Sequence, residues 1–338
     1  MTSSKLGLCL SLLLLIAEQA AAQHLQAFEA VEPHMGTLFR IKVYAASQGQ
    51  ATQAFQAAFA RVAELDNILS DYKPDSELDQ LSQRAVQQPV QVSEDLFRVL
   101  HASQKLAEES DGAFDVTIGP LSHLWRSARK NGEVPSPASV GEARGKCGYR
   151  KLHLDSVGRS VELDQAGMQL DVGAIAKGDA ADQALAVLSR QGIKSALVAA
   201  SGDLAFSDAP PGAKGWTIGL DSLDNAESPF TRVLVLANGA VSTSGSSEQH
   251  LDSAAVRYSH IIDPATGVGL TREITVSVVA RRGIDADGFS TAVSVLGVKR
   301  GLAFIEEHPG ASAMILTEQN GKRTIEESAG FRQLPTLP

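Results

Sequence analysis

The sequence predicts an α+β fold, in which mixed sheets pack with helices in one large domain. Segments with apolar residues at helical spacing and β-rich runs bounded by turn residues follow one another along the chain. They do so without the regular strand–helix–strand alternation of a doubly wound sheet. No repeat, low-complexity tract or linker is visible, so we expect one domain over residues 23–338, preceded by a separate segment, residues 1–22.

This first segment has the pattern of a secretory signal peptide. Lys5 supplies a positive charge, Leu6–Ile16 form an apolar run too short for a membrane span, and Ala20–Ala22 provide the small residues that signal peptidase requires. A retained N-terminal anchor is the alternative. Cys9 lies inside the apolar run, whereas a lipid anchor needs a Cys at its end. We therefore expect cleavage after Ala22 and a soluble periplasmic protein with no further membrane span.

The composition argues against nucleic acid as a partner. The net charge is −9, and it is unchanged by signal removal because one Lys and one Glu are lost together. No run of Lys or Arg interrupts this acidic balance. Cys147 is the one cysteine left after cleavage, so no intrachain disulfide is expected, and a buried, inert thiol is the natural interpretation.

Residues 36–190 are predicted to contain one strand and three helices. Alternating apolar and polar residues predict the strand at 36–44, and apolar residues at helical spacing predict a helix at 52–71. A second helix begins after Ser93 as N-cap and ends near Gly112. A third, Lys177–Arg190, is ended by Gly192.

The second half is predicted to contain mostly strands. They are expected at 195–200, 233–236 and 274–280, with a turn at Asn238-Gly239 after the second. A helix at 285–296 and another near 299–307 follow. Asn320-Gly321 between 313–317 and 323–325 predicts a terminal hairpin.

Residues 112–121 combine small residues with a carboxylate. They could simply end a helix at Gly112 and form a turn. Alternatively, the small residues let the backbone approach a flat ligand, and Asp115 accepts hydrogen bonds from its ring or ribose groups. The common Gly-x-Gly-x-x-Gly and Gly-x-x-x-x-Gly-Lys-Ser/Thr nucleotide signatures are absent.

Residues 170–179 place four small residues where a helix begins. The N–H groups and dipole of that helix start suit a phosphate, and Lys177 could add a positive charge. A tightly packed strand-to-helix turn is the alternative interpretation.

Two further clusters contain candidate catalytic and metal-binding groups. Alternation at 257–267 places Tyr258, His260 and Ile262 on one face of a strand, although a lone His is more often a satisfied structural group. Asp287 and Thr291, four residues apart, share one face of a helix start. Asp287 could merely complement the helix dipole, or the two oxygens and a backbone carbonyl could bind Mg²⁺ with phosphate.

Taken together, these clusters resemble the ApbE-type FAD:protein FMN transferases. The resemblance extends from about Glu32 to Leu316 and depends on the order of seven segments. The segments are Met35–Thr37, Leu69–Leu78, Gly112–Leu121, Asp171–Gly178, Ser242–Gly245, Ser259–Gly267 and Ala286–Thr291.

The resemblance implies a single α+β domain that binds FAD and Mg²⁺ and transfers FMN to a Thr or Ser of an acceptor flavoprotein subunit, with release of AMP. By position, the metal ligands would be Asp287, Thr291 and the carbonyl of Ala176. The FAD contacts would be Met35, Tyr72, Ala113, Phe114, Asp115, Gly173, Lys177, Asp179, His260 and Ile262.

The chain departs from the family pattern in three places. Ser201-Gly202-Asp203 stands for Gly-Gly-Asp, Ser246–His250 lacks the usual aromatic and Arg, and Val268 replaces a Pro. These positions concern acceptor binding or the outer half of FAD.

The expected mechanism uses His260 as general base on the acceptor hydroxyl and Lys177 to hold the FMN phosphate. Two alternatives stay open at this point. One is an FAD pyrophosphate hydrolase that forms FMN and AMP, and the other is a non-catalytic periplasmic flavin-binding protein.

Overall fold

An antiparallel sheet of eight strands forms the centre of the molecule. The computed structural model describes residues 25–221, 230–245, 249–253, 256–319 and 321–337. The strands of this sheet lie in the order β1-β2-β6-β7-β10-β15-β16-β17, and every adjacent pair is antiparallel. They are β1 Gln26–His34, β2 Thr37–Ala45, β6 Ala196–Ala200, β7 Asp203–Phe206, β10 Gly239–Gly245, β15 Glu273–Ala280, β16 Ser312–Gln319 and β17 Lys322–Glu327.

Seven α-helices and four smaller sheets complete the described part of the chain. The helices are α1 Gln48–Leu69, α2 Glu77–Arg84, α3 Glu94–Glu109, α4 Gly119–Asn131, α5 Pro137–Gly145, α6 Ala176–Arg190 and α7 Gly283–Glu306. The small sheets are β3 Val90–Gln91 with β5 Ser160–Leu163 and β4 Leu152–Asp155, β8 Trp216–Asp221 with β9 Phe230–Leu236, β11 His250–Ser253 with β12 Val256–Ser259, and β13 Ile262–Asp263 with β14 Val268–Gly269. The predicted α+β class is confirmed.

The two faces of the eight-stranded sheet are covered differently. Helices α6 and α7 pack side by side on one face, and α1 packs beside α6 over β1 and β2. The β8–β9 hairpin covers the other face, where Phe206, Trp216 and Met314 are buried. A separate apolar cluster around Trp125 joins α4 and α5 to the strands β11 and β13. Because α6 and α7 cover one face of the sheet, side chains on that face contact the N-terminal ends of these two helices.

Most predicted elements are present, with shifted ends. Ser93 caps α3, its hydroxyl accepting a hydrogen bond from the N–H of Leu96 at 3.2 Å. Helix α1 starts one turn earlier than predicted, because Ser47 caps it in the same way. The two predicted C-terminal helices are both present within α7, and Gly297, whose φ of 74° is not helical, separates them.

Several elements were not predicted, α4 and β1 among them. Helix α4 begins at Gly119-Pro120, a pair that resembles a turn, yet Pro is well tolerated in the first turn of a helix. Its apolar side, Leu121, Trp125 and Ala128, is buried against α5 and the small strands. Strand β1 is also additional; it lies at the edge of the large sheet and is mostly exposed.

Two predictions concern the membrane and the free cysteine. Among the described residues, α7 alone is long and apolar enough to span a membrane, but helices that cover a sheet pass the same test. The predicted signal peptide and its cleavage site lie outside the described residues. Cys147 is buried and unpaired, and burial raises the pKa of its thiol to about 12, as expected for an inert cysteine.

Candidate active site

A cavity of about 590 Å³ opens where α6 and α7 start. Twelve of the thirteen predicted site residues line it, although they come from six separate parts of the chain. These residues are Met35, Tyr72, Ala113, Phe114, Asp115, Gly173, Ala176, Lys177, His260, Ile262, Asp287 and Thr291. The structure therefore brings the flavin, phosphate, base and metal candidates to one place.

The cavity floor depends on a close crossing of α6 and α7. A Cβ on Gly178 would lie 2.1 Å from the carbonyl oxygen of Gly283, so only glycine permits this backbone contact. Across the crossing, the N–H of Gly178 donates to Oδ2 of Asp287 at 3.0 Å. Asp182 of α6 in turn accepts hydrogen bonds from the N–H groups of Gly283 and Ile284 at 2.7 and 3.1 Å. Each helix thus supplies hydrogen-bond partners for the start of the other.

Lys177 lies between two carboxylates at this crossing. Its ammonium group donates to Oδ2 of Asp203 and lies 3.9 Å from Oδ1 of Asp287. Ser242 supports the pair by donating to Oδ1 of Asp203 at 2.6 Å. Burial and the nearby charge of Asp203 raise the pKa of Asp287 to about 7. The negative charge at Asp287 is therefore only partly compensated by the chain itself.

The donor set at this point suits a hard divalent cation. A buried carboxylate (Asp287), a hydroxyl (Thr291) and the backbone at Ala176 line the same wall, and all three offer oxygen, the donor that Mg²⁺ prefers. No group of three or more His, Cys, Asp or Glu side chains in the described part of the chain could bind a metal. A metal at this position would therefore depend on the hydroxyl, the backbone carbonyl and ligand oxygens.

His260 lies on the cavity wall at a break between β12 and β13, not within one continuous strand as predicted. Its backbone N–H and ring Nδ1 both contact the carbonyl oxygen of Gln249, at 2.9 and 3.2 Å. A carbonyl oxygen only accepts, so Nδ1 carries the proton and Nε2 keeps its lone pair. Burial lowers the pKa of His260 to about 4, and the positive charges of Arg129 and Lys177 act in the same direction.

Asp115 has a structural role that the sequence did not indicate. Its Oδ1 accepts from the N–H and the hydroxyl of Thr117 at 2.8 and 2.7 Å, and its Oδ2 accepts from the N–H of Tyr149 at 2.9 Å. Burial raises the pKa of this carboxyl. Three internal donors thus occupy the group that was expected to bind ring or ribose atoms. Phe114 is likewise almost fully buried in the main core.

Asp179 is the predicted site residue that the structure does not bring to the cavity. Its carboxylate forms a two-point ion pair with Arg98 of α3, with distances of 3.0 and 2.8 Å. Asp179 follows Lys177 by two positions but points away from the cavity, because positions two apart on a helix face different directions. Its side chain ties α6 to α3.

Helix α4 supplies a polar wall that was missed in the sequence. Ser122, Arg126 and Arg129 recur at helical spacing and all line the cavity. Arg126 bridges Asp71 and Asp171, and its guanidinium lies 4.3 Å from the ring centre of Tyr72. The helical spacing was the available signal, but the helix itself was not predicted.

The three departures from the family pattern lie in different parts of the structure. Ser201 and Gly202 line the cavity, and Gly202 approaches Thr243 closely; a Cβ there would be 2.6 Å from the carbonyl oxygen of Thr243. Of the segment 246–250, residues 246–248 lie outside the described residues, whereas Gln249 holds His260. Val268 belongs to β14, which pairs with β13.

Comparison with known proteins gives consistent results. A model of the ApbE family matches residues 35–316. The FAD:protein FMN transferase of Treponema pallidum (strain Nichols) is 32% identical over 342 residues, covering 97% of this chain and 94% of the relative. The FAD:protein FMN transferase of Salmonella typhimurium is 28% identical over 295 residues, covering 86% and 84%.

Solved structures agree with this comparison. The flavin transferase ApbE from Vibrio cholerae superposes with a TM-score of 0.83 at 26% identity, covering 92% of this chain and 99% of that one. An ApbE protein from Thermotoga maritima has a TM-score of 0.80 at 29% identity, covering 91% and 98%.

Proposed function

The chain belongs to the ApbE family of transferases, and we propose that it moves FMN from FAD onto a Thr or Ser hydroxyl of an acceptor flavoprotein and releases AMP. The observation that supports this most directly is the crossing of α6 and α7. It places Lys177 and Asp287 on one wall of the cavity that also contains Thr291 and His260. We further propose that this wall binds Mg²⁺ through Asp287, Thr291 and the carbonyl of Ala176.

The chemistry requires a nucleophile, an electrophile and a leaving group. The acceptor oxygen attacks the FMN phosphorus, the bond from this phosphorus to the bridging oxygen breaks, and AMP departs with the electron pair. Bound Mg²⁺ would offset the negative charge that develops on the pyrophosphate oxygens. Lys177, at the start of α6, holds the phosphate with its positive charge, whereas the N–H of Gly178 in the same turn is already bonded to Asp287.

His260 provides the base. Its Nδ1–H donates to the carbonyl oxygen of Gln249, which fixes the ring and leaves Nε2 free to take the proton of the acceptor hydroxyl. The low pKa of His260 keeps the ring neutral, and therefore able to accept a proton, throughout the neutral range. A weakly basic imidazole still acts effectively if the hydroxyl is held close to it.

A transfer assay distinguishes this function from its alternatives. The protein is incubated with FAD, Mg²⁺ and candidate flavoprotein subunits, and the intact mass of each subunit is measured. We expect the mass of the acceptor subunit to increase by that of one FMN less one water. This increase should disappear when EDTA replaces Mg²⁺. FMN and AMP formed without an acceptor would instead identify a hydrolase. FAD that stays bound and intact under all conditions would identify a flavin-binding protein.

We also propose export to the periplasm, on the basis of the signal-peptide pattern in residues 1–22. The mature protein should begin at Gln23. N-terminal sequencing of protein recovered from a periplasmic fraction tests this, and an intact Met1 or a lipidated N-terminus contradicts it.

A further inference from the structure

Arg129 differs from the other cationic side chains that line the cavity, because they are already paired with carboxylates. Lys73 contacts Asp66 at 2.7 Å. Arg126 is held by Asp71 and Asp171, and Lys177 by Asp203. Arg129 forms no ion pair with any residue in the described ranges.

The charge balance of the cavity makes this difference important. The lining includes six carboxylates against four cationic side chains. The carboxylates are Asp66, Asp71, Asp115, Asp171, Asp203 and Asp287, and the cations are Lys73, Arg126, Arg129 and Lys177. An anionic ligand entering this cavity meets a wall whose positive charge is largely neutralised. A cation without a counter-ion is the group best able to attract it.

The surroundings of Arg129 do not favour its charge in the free protein. The side chain is half-buried on α4, one turn after Arg126. Burial lowers the pKa of Arg129, and the positive charge of Arg126 lowers it further. No carboxylate of the described residues offsets this cost. A ligand anion would offset it.

The position of Arg129 also indicates where such an anion would bind. Arg129, Lys177 and His260 line the same cavity, and both cations are close enough to lower the pKa of His260. Since the base must lie beside the reacting phosphorus, a pyrophosphate held between Arg129 and Lys177 would present that phosphorus to it. Arg126 already has Asp71 and Asp171 as partners of its guanidinium, whereas Arg129 has no carboxylate partner among the described residues.

We propose that Arg129 binds a phosphate oxygen of the FAD pyrophosphate from the α4 side of the cavity. This inference rests on the proposed function, since it takes FAD as the ligand. A guanidinium forms charge-assisted hydrogen bonds to phosphate that are worth about tenfold to a hundredfold in affinity.

Calorimetric titration of the full chain with FAD, ADP and riboflavin, in Mg²⁺, tests the proposal. Arg129→Gln should weaken the binding of FAD and ADP about tenfold to a hundredfold and leave the binding of riboflavin unchanged. Arg129→Lys should recover part of the lost affinity. Lys130→Gln removes a charge from the same helix at a position outside the cavity and serves as the matched control. Unchanged affinity of Arg129→Gln for FAD and ADP overturns the proposal.

Thermal unfolding without ligand gives a second, independent readout. Because Arg129 lacks a counter-ion in the free protein, Arg129→Gln should keep or raise the Tm, and FAD should raise the Tm of the variant less than that of the wild type. If Arg129→Gln lowers the Tm and weakens riboflavin binding as much as FAD binding, the role of Arg129 is purely structural and the proposal is overturned. If the wild type itself binds no FAD, the proposed function fails, a result distinct from failure at Arg129.

Discussion

Gly178 and Gly283 approach so closely that neither position has room for a side chain. A Cβ on Gly283 would lie 2.4 Å from the carbonyl oxygen of Gly178, and the reverse distance is 2.1 Å. The contact fixes the spacing between α6, which carries Lys177, and α7, which carries Asp287 and Thr291. The phosphate and metal candidates are therefore positioned by backbone packing rather than by their own side chains.

Gly178→Ala is expected to disrupt this crossing. The added methyl group would separate the two helices, remove the hydrogen bond from Gly178 to Asp287, and destabilise the fold by about 1–3 kcal/mol. Thermal unfolding and Mg²⁺-dependent FAD binding measure both effects. Gly141→Ala is the matched control, because nothing lies within 4 Å of a Cβ there. Equal Tm values for the two variants would contradict the prediction.

Asp287→Asn should stabilise the metal-free protein at pH 8. The pKa of Asp287 is about 7 in the folded chain, against 3.8 as its ordinary value. The folded state therefore holds an extra proton between these values, and stability falls as the pH rises from about 4 to 7. Asn removes the free-energy cost of ionising this side chain in the folded protein. It also removes a ligand of the proposed Mg²⁺, so the change in Tm with Mg²⁺ should be lost. Tm measured from pH 5 to 8, with EDTA and with Mg²⁺, tests this; an unaltered Mg²⁺ response in the variant contradicts the assignment.

His260→Ala should leave FAD bound while slowing transfer by about a hundredfold or more. With Mg²⁺ saturating, the wild-type kcat/KM should stay level from pH 8 to 5 and fall only near pH 4, where the free-enzyme imidazole becomes protonated. The measurement is initial transfer rate across this range. An inflection near the ordinary histidine pKa, or a variant as fast as wild type, would remove His260 from the base role.

Asp115→Asn should mainly affect stability. The amide nitrogen that replaces one carboxylate oxygen cannot accept from Thr117 or Tyr149, so at least one buried donor loses its partner, at about 1–3 kcal/mol. FAD affinity of the folded variant should change only a few-fold. Thermal unfolding and calorimetry separate the two effects, and a large loss of FAD affinity at wild-type Tm would restore Asp115 as a ligand group.

Local patterns predicted the elements whose ends carry their own signals. Helix α6 is recognisable from its apolar spacing and from Gly192, whose φ of 78° ends it, and α3 from the Ser93 cap. Helix α4 was missed because Gly119-Pro120 resembles a turn when read alone. Burial of Trp125 against Gly267, whose carbonyl accepts from the indole at 2.8 Å, stabilises that helix from 142 positions away.

The site was predicted where the residues form local clusters and missed where pairing is distant. Asp287 and Thr291 are visible as one helix turn, whereas Arg126 meets Asp71 across 55 positions and Asp171 across 45. No periodicity reveals such a pair. The same limit explains Asp179, which lies in the right segment but is bound by Arg98 from another helix.

The hydrogen bonds from Gly283 and Ile284 to Asp182 join parts of the chain about a hundred positions apart. The side chain of Arg282, at the N-cap of α7, accepts no hydrogen bond from the N–H groups of the helix, so the first turn is completed by a carboxylate from α6. A C-terminal fragment would contain Asp287 and Thr291 without the means to order them. Because these partners lie more than a hundred positions apart, the crossing that forms the cavity floor can be completed only after α7 has been synthesised and has docked on α6.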